Sequence, residues 1–211
     1  MEKKTWSTKL DKSVLLRKGD ALIVVDLQND FLANGALAVP EGEKVISPLR
    51  RAIQVFQEKD FSVFFTRDWH PSDHCSFKKN GGLWPSHCVQ DTWGAEFAPR
   101  LNLPEGSIII SKGAKKDIDE YSGFHGYDKD GYTLDQSLKQ RGTERIFIGG
   151  LATDYCVLNT VLDALKSGYE VYVLTDAISA VNVKPDDGKN ALKNMKENGA
   201  KLTKTEFMEK S

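Results

Sequence analysis

The sequence predicts an α/β fold, namely a three-layer α/β/α sandwich around a six-stranded, mainly parallel sheet. Short runs rich in β-branched residues recur along the 211 residues, and each ends in a polar or glycine-containing turn. The runs are continuously apolar, which is typical of parallel strands covered by helices on both faces. Amphipathic helical patterns lie between the runs. Such alternation with right-handed crossovers produces a doubly wound sandwich.

Six runs are expected to form the strands, and the sixth is weaker than the others. In chain order they are Ala21–Asp26, Ser62–Asp68, Ser107–Lys112, Arg145–Gly150, Glu170–Asp176 and Lys201–Phe207. Three stretches between them repeat apolar residues every three to four positions, as amphipathic helices do. They are Lys44–Glu58, Asp154–Ser167 and Asp186–Asn198. Glycines close the last two stretches, as at many helix ends. We expect the strand order 3-2-1-4-5-6, which reverses between the first and fourth strands.

Composition limits the class of protein. Apolar residues make up 40% of the chain, enough for a sizeable core in a single domain over 1–211. The 29 basic and 30 acidic residues give a net charge of −1, which argues against nucleic-acid or membrane partners. We find no signal peptide in Met1–Leu10 and no apolar run near the roughly 18 residues of a membrane span. Three cysteines suggest free thiols and a cytoplasmic location. A homo-oligomer is left open.

One segment, at about 69–100, interrupts the alternation. It holds three tryptophans, two cysteines and three histidines with little periodicity. A loop of this length inside a compact domain is usually functional, so we expect a binding loop here. Elsewhere, Trp6 and Trp93 are expected to pack in the interior, and the acidic run 117–120 is expected to be solvated.

Chemically useful side chains fall at the predicted strand ends. These are Asp26, Asp68, Lys112 and Cys156. Sites in open α/β sheets form outside the carboxyl ends of the strands, near the reversal of strand order. An acid, a cation and a thiol there are the parts of an activated nucleophile.

Cys156 is the strongest single candidate. With Thr153 as N-cap it would be the third helical residue, where the helix dipole and a nearby Lys112 could lower the thiol pKa into the range of roughly 3.5–7.5. Simpler interpretations stay open for each residue. The cysteine could be a small buried side chain, Lys112 could extend to solvent, and Asp26 could be a turn residue.

A second group of residues suggests a metal site. Asp68 and His70 are two positions apart in an extended segment, and His74 and His87 follow in the loop. One carboxylate with two or three imidazoles suits one divalent ion such as Zn, Fe or Mn. A salt-bridged loop histidine is the alternative.

Together these motifs resemble the nicotinamidase/pyrazinamidase branch of the isochorismatase-like cysteine hydrolases. The resemblance covers nearly the whole chain, in order. The matching segments are Asp26-Leu27-Gln28-Asn29-Asp30-Phe31, Asp68-Trp69-His70-Pro71, Leu83-Trp84-Pro85-Ser86-His87-Cys88 and Gly150-Leu151-Ala152-Thr153-Asp154-Tyr155-Cys156-Val157.

The resemblance implies an isochorismatase-like hydrolase fold and assigns roles to residues. It implies a catalytic triad of Asp26, Lys112 and Cys156. It also implies a metal held by Asp68, His70 and His87, while the part of His74 is left open. The backbone N–H groups of Ala152 and Cys156 would form an oxyanion hole, with a cis peptide between Leu151 and Ala152. Phe31, Trp84 and Tyr121 would wall a flat ring.

The implied activity is hydrolysis of nicotinamide, and of pyrazinamide as well, through a cysteine thioester in NAD salvage. The small-molecule amide is then the expected partner. A sister hydrolase for isochorismate or an N-carbamoyl amide is the nearest alternative, although such relatives usually lack the full Asp-x-His…His set. A non-catalytic redox sensor and a hydrolase that uses metal-bound hydroxide are further alternatives, distinguished by the effect of replacing Cys156.

Overall fold

The computed structural model describes residues 10–209 and contains a six-stranded parallel sheet with helices on both faces. The strands are β1 (Val14–Leu15), β2 (Asp20–Val25), β3 (Ser62–Asp68), β4 (Ile108–Lys112), β5 (Arg145–Leu151), β6 (Glu170–Ser179), β7 (Lys201–Thr203) and β8 (Met208–Glu209). The helices are α1 (Ile46–Glu58), α2 (Leu134–Gln140), α3 (Leu158–Lys166) and α4 (Asp187–Glu197).

The order of the main sheet is β4-β3-β2-β5-β6-β7, which confirms the predicted order 3-2-1-4-5-6. The order in which strands are added across the sheet reverses between β2 and β5, the central pair of parallel strands. Every residue of β2 and β5 is buried, as their continuous apolar runs indicated. The short β1 and β8 pair with each other outside this sheet and were not predicted.

Two hydrophobic layers hold the sandwich together. Alternate side chains of β2 divide between them: Leu22 and Val24 pack with α1, whereas Ala21, Ile23 and Val25 pack with α2, α3 and α4. Removal of these apolar faces from water supplies most of the driving force for folding. The three-layer prediction is therefore confirmed.

The differences from the predicted elements are local. Helix α2 was not predicted, although Thr133 and Gln136 form a capping box at its start. Residues 153–157 form a π-helical turn before α3, with Ala152 at the N-cap. The prediction of Thr153 as N-cap, with Cys156 third in the helix, was therefore wrong.

Two further expectations concern tryptophans and membranes. Trp93 is 56% exposed, so the prediction that it packs in the interior was wrong, while Trp6 lies outside the described residues. Across residues 10–209, none of the helices combines the length and apolar character needed to cross a bilayer. The cytoplasmic location stays a prediction.

Candidate active site

The carboxyl ends of four strands of the main sheet bring the predicted site residues together. Asp26 follows β2, Asp68 and Lys112 end β3 and β4, and Cys156 lies in the π-helical turn after β5. Because all four strands are parallel, their carboxyl ends meet at the reversal of strand order. All four side chains are buried.

The Lys112 ammonium lies at the centre of this group. Its Nζ is 2.9 Å from Asp26 Oδ2 and 3.4 Å from Cys156 Sγ, and it donates a hydrogen bond to Asp68 Oδ1. Burial alone would lower the pKa of Lys112, but the two carboxylates outweigh burial and raise that pKa well above its ordinary value. Lys112 therefore carries a buried positive charge and does not extend to solvent.

Asp26 occupies a left-handed backbone conformation with φ of 45° at the end of β2. Its Oδ1 accepts a hydrogen bond of 2.6 Å from the hydroxyl of Thr66, a residue of β3 that the sequence did not single out. Burial raises the pKa of Asp26, with Lys112 acting against it and the nearby Asp68 adding to it. The carboxyl group is thus well suited to exchange a proton.

The thiol of Cys156 is also buried among these charges. Ligand-type atoms of Asp26, Asp68 and Cys156 lie within 4.8 Å of one another. Burial raises the pKa of the Cys156 thiol well above its ordinary value, with Lys112 lowering it and Asp26 and Asp68 raising it. The predicted lowering of this pKa was wrong, because it counted the lysine and the helix dipole but not the burial of the thiol, to which Asp26 and Asp68 add. Burial thus works against the thiolate, and Lys112 is the neighbouring group that favours it.

A second cluster joins Asp68 to two histidines. The side chains of Asp68, His70 and His87 present atoms within 4.8 Å of one another. Nε2 of His70 and of His87 lie 3.6 Å and 3.9 Å from Asp68 Oδ2. Burial acts to lower the pKa of both imidazoles, but Asp68 reverses that effect for His70 and raises its pKa, whereas the pKa of His87 is lowered.

The other ring nitrogen of each histidine is fixed by a backbone carbonyl. His70 Nδ1 donates to Gly113 at 2.9 Å, and His87 Nδ1 donates to Pro85 at 2.8 Å. Both Nε2 atoms then face the carboxylate, the usual orientation of metal-binding histidines. Gly113 has φ of 62°, and a Cβ there would lie 2.4 Å from the His70 ring. The donor set and its orientation fit a divalent ion.

His74 lies behind this cluster and is not part of it. Its Nε2 donates to the Ile118 carbonyl at 3.0 Å, and its Nδ1 pairs with the Ser76 hydroxyl at 2.8 Å. The ring lies 4.1 Å from that of His70, centroid to centroid. With both nitrogens occupied, His74 supports His70 from behind.

A cavity opens between the two clusters. All the predicted wall residues line it, namely Phe31, Trp84, Tyr121, Ala152 and Cys156. Trp84 Nε1 donates to the Tyr121 hydroxyl at 3.0 Å. An aromatic-walled cleft with a few polar groups suits a small flat ligand.

Other residues of the cavity were not predicted. They are Leu37, Val39, Asp119, Glu120, Tyr155 and Val181. Tyr155 packs edge-on against Trp84, with the ring centroids 5.0 Å apart. Glu120 accepts a hydrogen bond from the Gly113 amide at 3.0 Å. The run 117–120 was expected to be solvated, and for Glu120 that expectation was wrong. The peptide between Leu151 and Ala152 is cis, as the resemblance implied.

Comparison with known proteins agrees with this arrangement. A family model described as the isochorismatase domain matches residues 20–207. The chain belongs to the isochorismatase family. Nicotinamidase from Escherichia coli strain K12 is 40% identical over 198 residues, which cover 86% of this chain and 93% of that protein.

Two solved structures are similar to this member of the family. The pyrazinamidase of Pyrococcus horikoshii in complex with zinc is 48% identical with a TM-score of 0.82, over 88% of this chain and 99% of that one. PnC1 from L. infantum in complex with nicotinate is 33% identical with a TM-score of 0.85, over 94% of this chain and 100% of that one.

Proposed function

We propose that this protein is a nicotinamidase, which hydrolyses nicotinamide to nicotinate and ammonia and also accepts pyrazinamide. The observation that carries the proposal is the contact of Lys112 with both Asp26 and Cys156, beside the Asp68–His70–His87 cluster. A sulfur nucleophile, a proton acceptor and a candidate metal site thus open onto one aromatic cavity. Relatives named as nicotinamidases and pyrazinamidase support the choice of substrate.

In this proposal Cys156 is the nucleophile and Asp26 moves the protons. Asp26 takes the thiol proton while the sulfur attacks the carboxamide carbon, and Lys112 stabilises the negative charge on the sulfur. The backbone N–H groups of Ala152 and Cys156 hold the developing oxyanion, for which one such donor is typically worth about 3–4 kcal/mol.

Acylation ends with loss of ammonia, and hydrolysis of the thioester repeats the proton movements with water as the nucleophile. Asp26 returns its proton to the amide nitrogen, the C–N bond breaks, and ammonia leaves a thioester on Cys156. Asp26 then takes a proton from water, whose oxygen attacks the thioester carbon. The C–S bond breaks, Asp26 reprotonates the sulfur, and nicotinic acid departs and loses its proton to solvent as nicotinate. Each proton taken is returned, so the site regenerates itself.

Asp68, His70 and His87 would hold the divalent ion, and we propose zinc from the zinc-bound relative. When bound, the ion would supply a Lewis acid for the pyridine nitrogen and so orient the ring. Phe31, Trp84 and Tyr121 would hold the faces of the ring. The absence of nucleic-acid and membrane partners stays a prediction.

Replacing the nucleophile tests this proposal. We expect the unmodified protein to release one ammonia per nicotinate, and C156A to lose about 10³-fold or more of that rate. C75A is the matched control, because Cys75 is a half-buried cysteine that does not line the cavity. We also expect C156S to be nearly inactive. Substantial activity of C156A or C156S would contradict a thioester mechanism and favour hydrolysis by metal-bound hydroxide.

A further inference from the structure

Gln28 is a buried polar residue that the proposed mechanism does not use. It lies two residues beyond Asp26, where β2 has ended, and its side chain is fully shielded from solvent. A buried amide costs free energy unless its donors and acceptor are paired. Its hydrogen bonds therefore indicate what it holds.

The side-chain amide of Gln28 hydrogen-bonds to both the N–H and the carbonyl group of the Asp68 main chain. Asp68 N–H donates to Gln28 Oε1 at 2.8 Å, and Gln28 Nε2 donates to the Asp68 carbonyl at 2.8 Å. The same Nε2 donates to the Ala95 carbonyl at 2.9 Å. A side-chain amide thus makes the two hydrogen bonds that a neighbouring strand would make.

This pairing occurs where the backbone ladder stops. The register between β2 and β3 ends at Val24 and Phe65, because the left-handed conformation of Asp26 turns the chain away. The end of β3 would otherwise lack its neighbour on that side. Gln28 replaces the missing strand at the residue that faces both Lys112 and the histidines.

The geometry points to Gln28 as a positioning residue that fixes the Asp68 carboxylate for metal binding. This inference rests on the proposed metal site, because Asp68 is one of its ligands. Gln28 itself does not line the cavity. The carboxylate must face Nε2 of both histidines while it accepts a hydrogen bond from Lys112. Groups that orient metal ligands typically change metal affinity by about 10- to 100-fold when they are replaced.

Zinc affinity tests the inference without using the reaction. The dissociation constant for Zn²⁺ alone is measured by competition with a chromophoric chelator, for the unmodified protein, Q28M and Q28E. We expect Q28M to bind zinc about 10- to 100-fold more weakly, because it keeps the length of the side chain and loses all three hydrogen bonds. Q28E replaces the amide NH2 by an oxygen. It keeps the acceptor for Asp68 N–H and loses the hydrogen bonds donated to the Asp68 and Ala95 carbonyls, so it should also weaken zinc binding by about tenfold or more.

Q90M is the matched control. Gln90 is a half-buried glutamine whose Nε2 donates to the carbonyl of Trp69, the residue after Asp68, at 2.9 Å. We expect its zinc affinity to stay within about twofold of the unmodified protein. Thermal unfolding of each metal-free protein is recorded alongside, because a purely structural glutamine would lower the midpoint and leave zinc affinity unchanged.

The outcomes separate this inference from the proposed function. Unchanged zinc affinity in Q28M, or in Q28E if Q28M does not fold, overturns the role of Gln28. A Q90M protein as weak as Q28M also overturns it. An unmodified protein that binds no zinc overturns the metal site and this inference together. Failure of the unmodified protein to release ammonia from nicotinamide contradicts the proposed function, whereas the zinc measurements still decide the role of Gln28.

Discussion

Lys112 carries a buried ammonium that faces two carboxylates and a thiol. Transfer of an isolated charge into a protein interior costs several kcal/mol, and ion pairs repay that cost only when the partners are close. Here the contacts to Asp26 and Asp68 raise the pKa of Lys112 in spite of its burial. The same residue thus supports both folding and the proposed chemistry, and one substitution can measure both.

We predict that K112M is destabilised by about 3–5 kcal/mol, because it leaves two carboxylates buried without their cation. Denaturant unfolding at about pH 7.5 measures this change, and ammonia release should fall at the same time. Burial holds the pKa of Asp26 above its unfolded value, so protonation of that group in the folded state removes a buried charge. The variant should therefore regain stability as the pH is lowered towards about 5.

The double variant D26N/K112M is the control for this prediction. It removes one of the uncompensated charges, so it should be more stable than K112M alone at about pH 7.5. A K112M protein as stable as the unmodified protein would contradict the assignment of Lys112 as the charge that balances the site.

At the scale of elements, the π-helical turn at 153–157 connects the nucleophile to the far wall of the cavity. Asp154 in this turn accepts hydrogen bonds from the backbone amides of Val181 and Asn182, at 2.9 Å and 2.8 Å. Val181 lines the cavity. The turn that carries Cys156 therefore also positions the segment after β6 that bounds the ligand.

We predict that D154A raises KM for nicotinamide by about tenfold and changes kcat less. Loss of a charged acceptor leaves two amides to find new partners, and each such hydrogen bond is typically worth about 1.5–3 kcal/mol. The Val181 wall then loosens while the Cys156–Lys112 contact stays in place. Steady-state ammonia assays give both constants.

D163A is the matched control for D154A. Asp163 lies in α3, and it pairs with His125 away from the cavity. Its removal should leave KM within about twofold of the unmodified value. An unchanged KM in D154A, or a fall confined to kcat, would contradict a role for this turn in shaping the cavity wall.

The elements that the sequence predicted are those with a repeating pattern. β3 was predicted with its exact bounds, because a strand buried on both faces needs a continuous apolar run. Helix α2 was missed because its seven residues are too few to establish a period, and only its capping box marks the start. The two-residue strands β1 and β8 carry no pattern at all.

For the site, the strand ends revealed Asp26, Asp68, Lys112 and Cys156, because parallel strands must bring their carboxyl ends together. What depends on exact distances was out of reach. The sequence could not show how completely the sulfur is buried or that Asp68 lies beside it together with Asp26, so the predicted direction of the Cys156 pKa shift was wrong. The wall residues Leu37 and Val39 lie in the loop between β2 and α1, and Val181 lies in the loop after β6, so no sequence spacing connects the two segments.

At the scale of the whole molecule, the candidate metal site connects the sheet to the long loop. Asp68 ends β3, His70 bonds to the turn after β4, and His87 lies deep in the loop. The unfolded chain cannot hold these three ligands together. Metal binding therefore adds directly to the free energy of unfolding, by RT ln(1 + [L]/Kd).

We predict that zinc at 100 times its dissociation constant stabilises the protein by about 2.7 kcal/mol, and that EDTA reverses the effect and reduces ammonia release. For a chain of this length each kcal/mol raises the unfolding midpoint by about 2–4 °C, which calorimetry resolves. C156A should keep the full shift, since Cys156 is not among the three ligands, whereas H87A should lose it. An exposed-histidine control, H125Q, should also keep it.

The zinc-induced shift of the midpoint should shrink as the pH falls, because protons compete for the imidazoles. Asp68 raises the pKa of His70, so this competition begins above the ordinary histidine pKa of about 6.5. A midpoint that does not respond to zinc in the EDTA-treated protein would exclude the site.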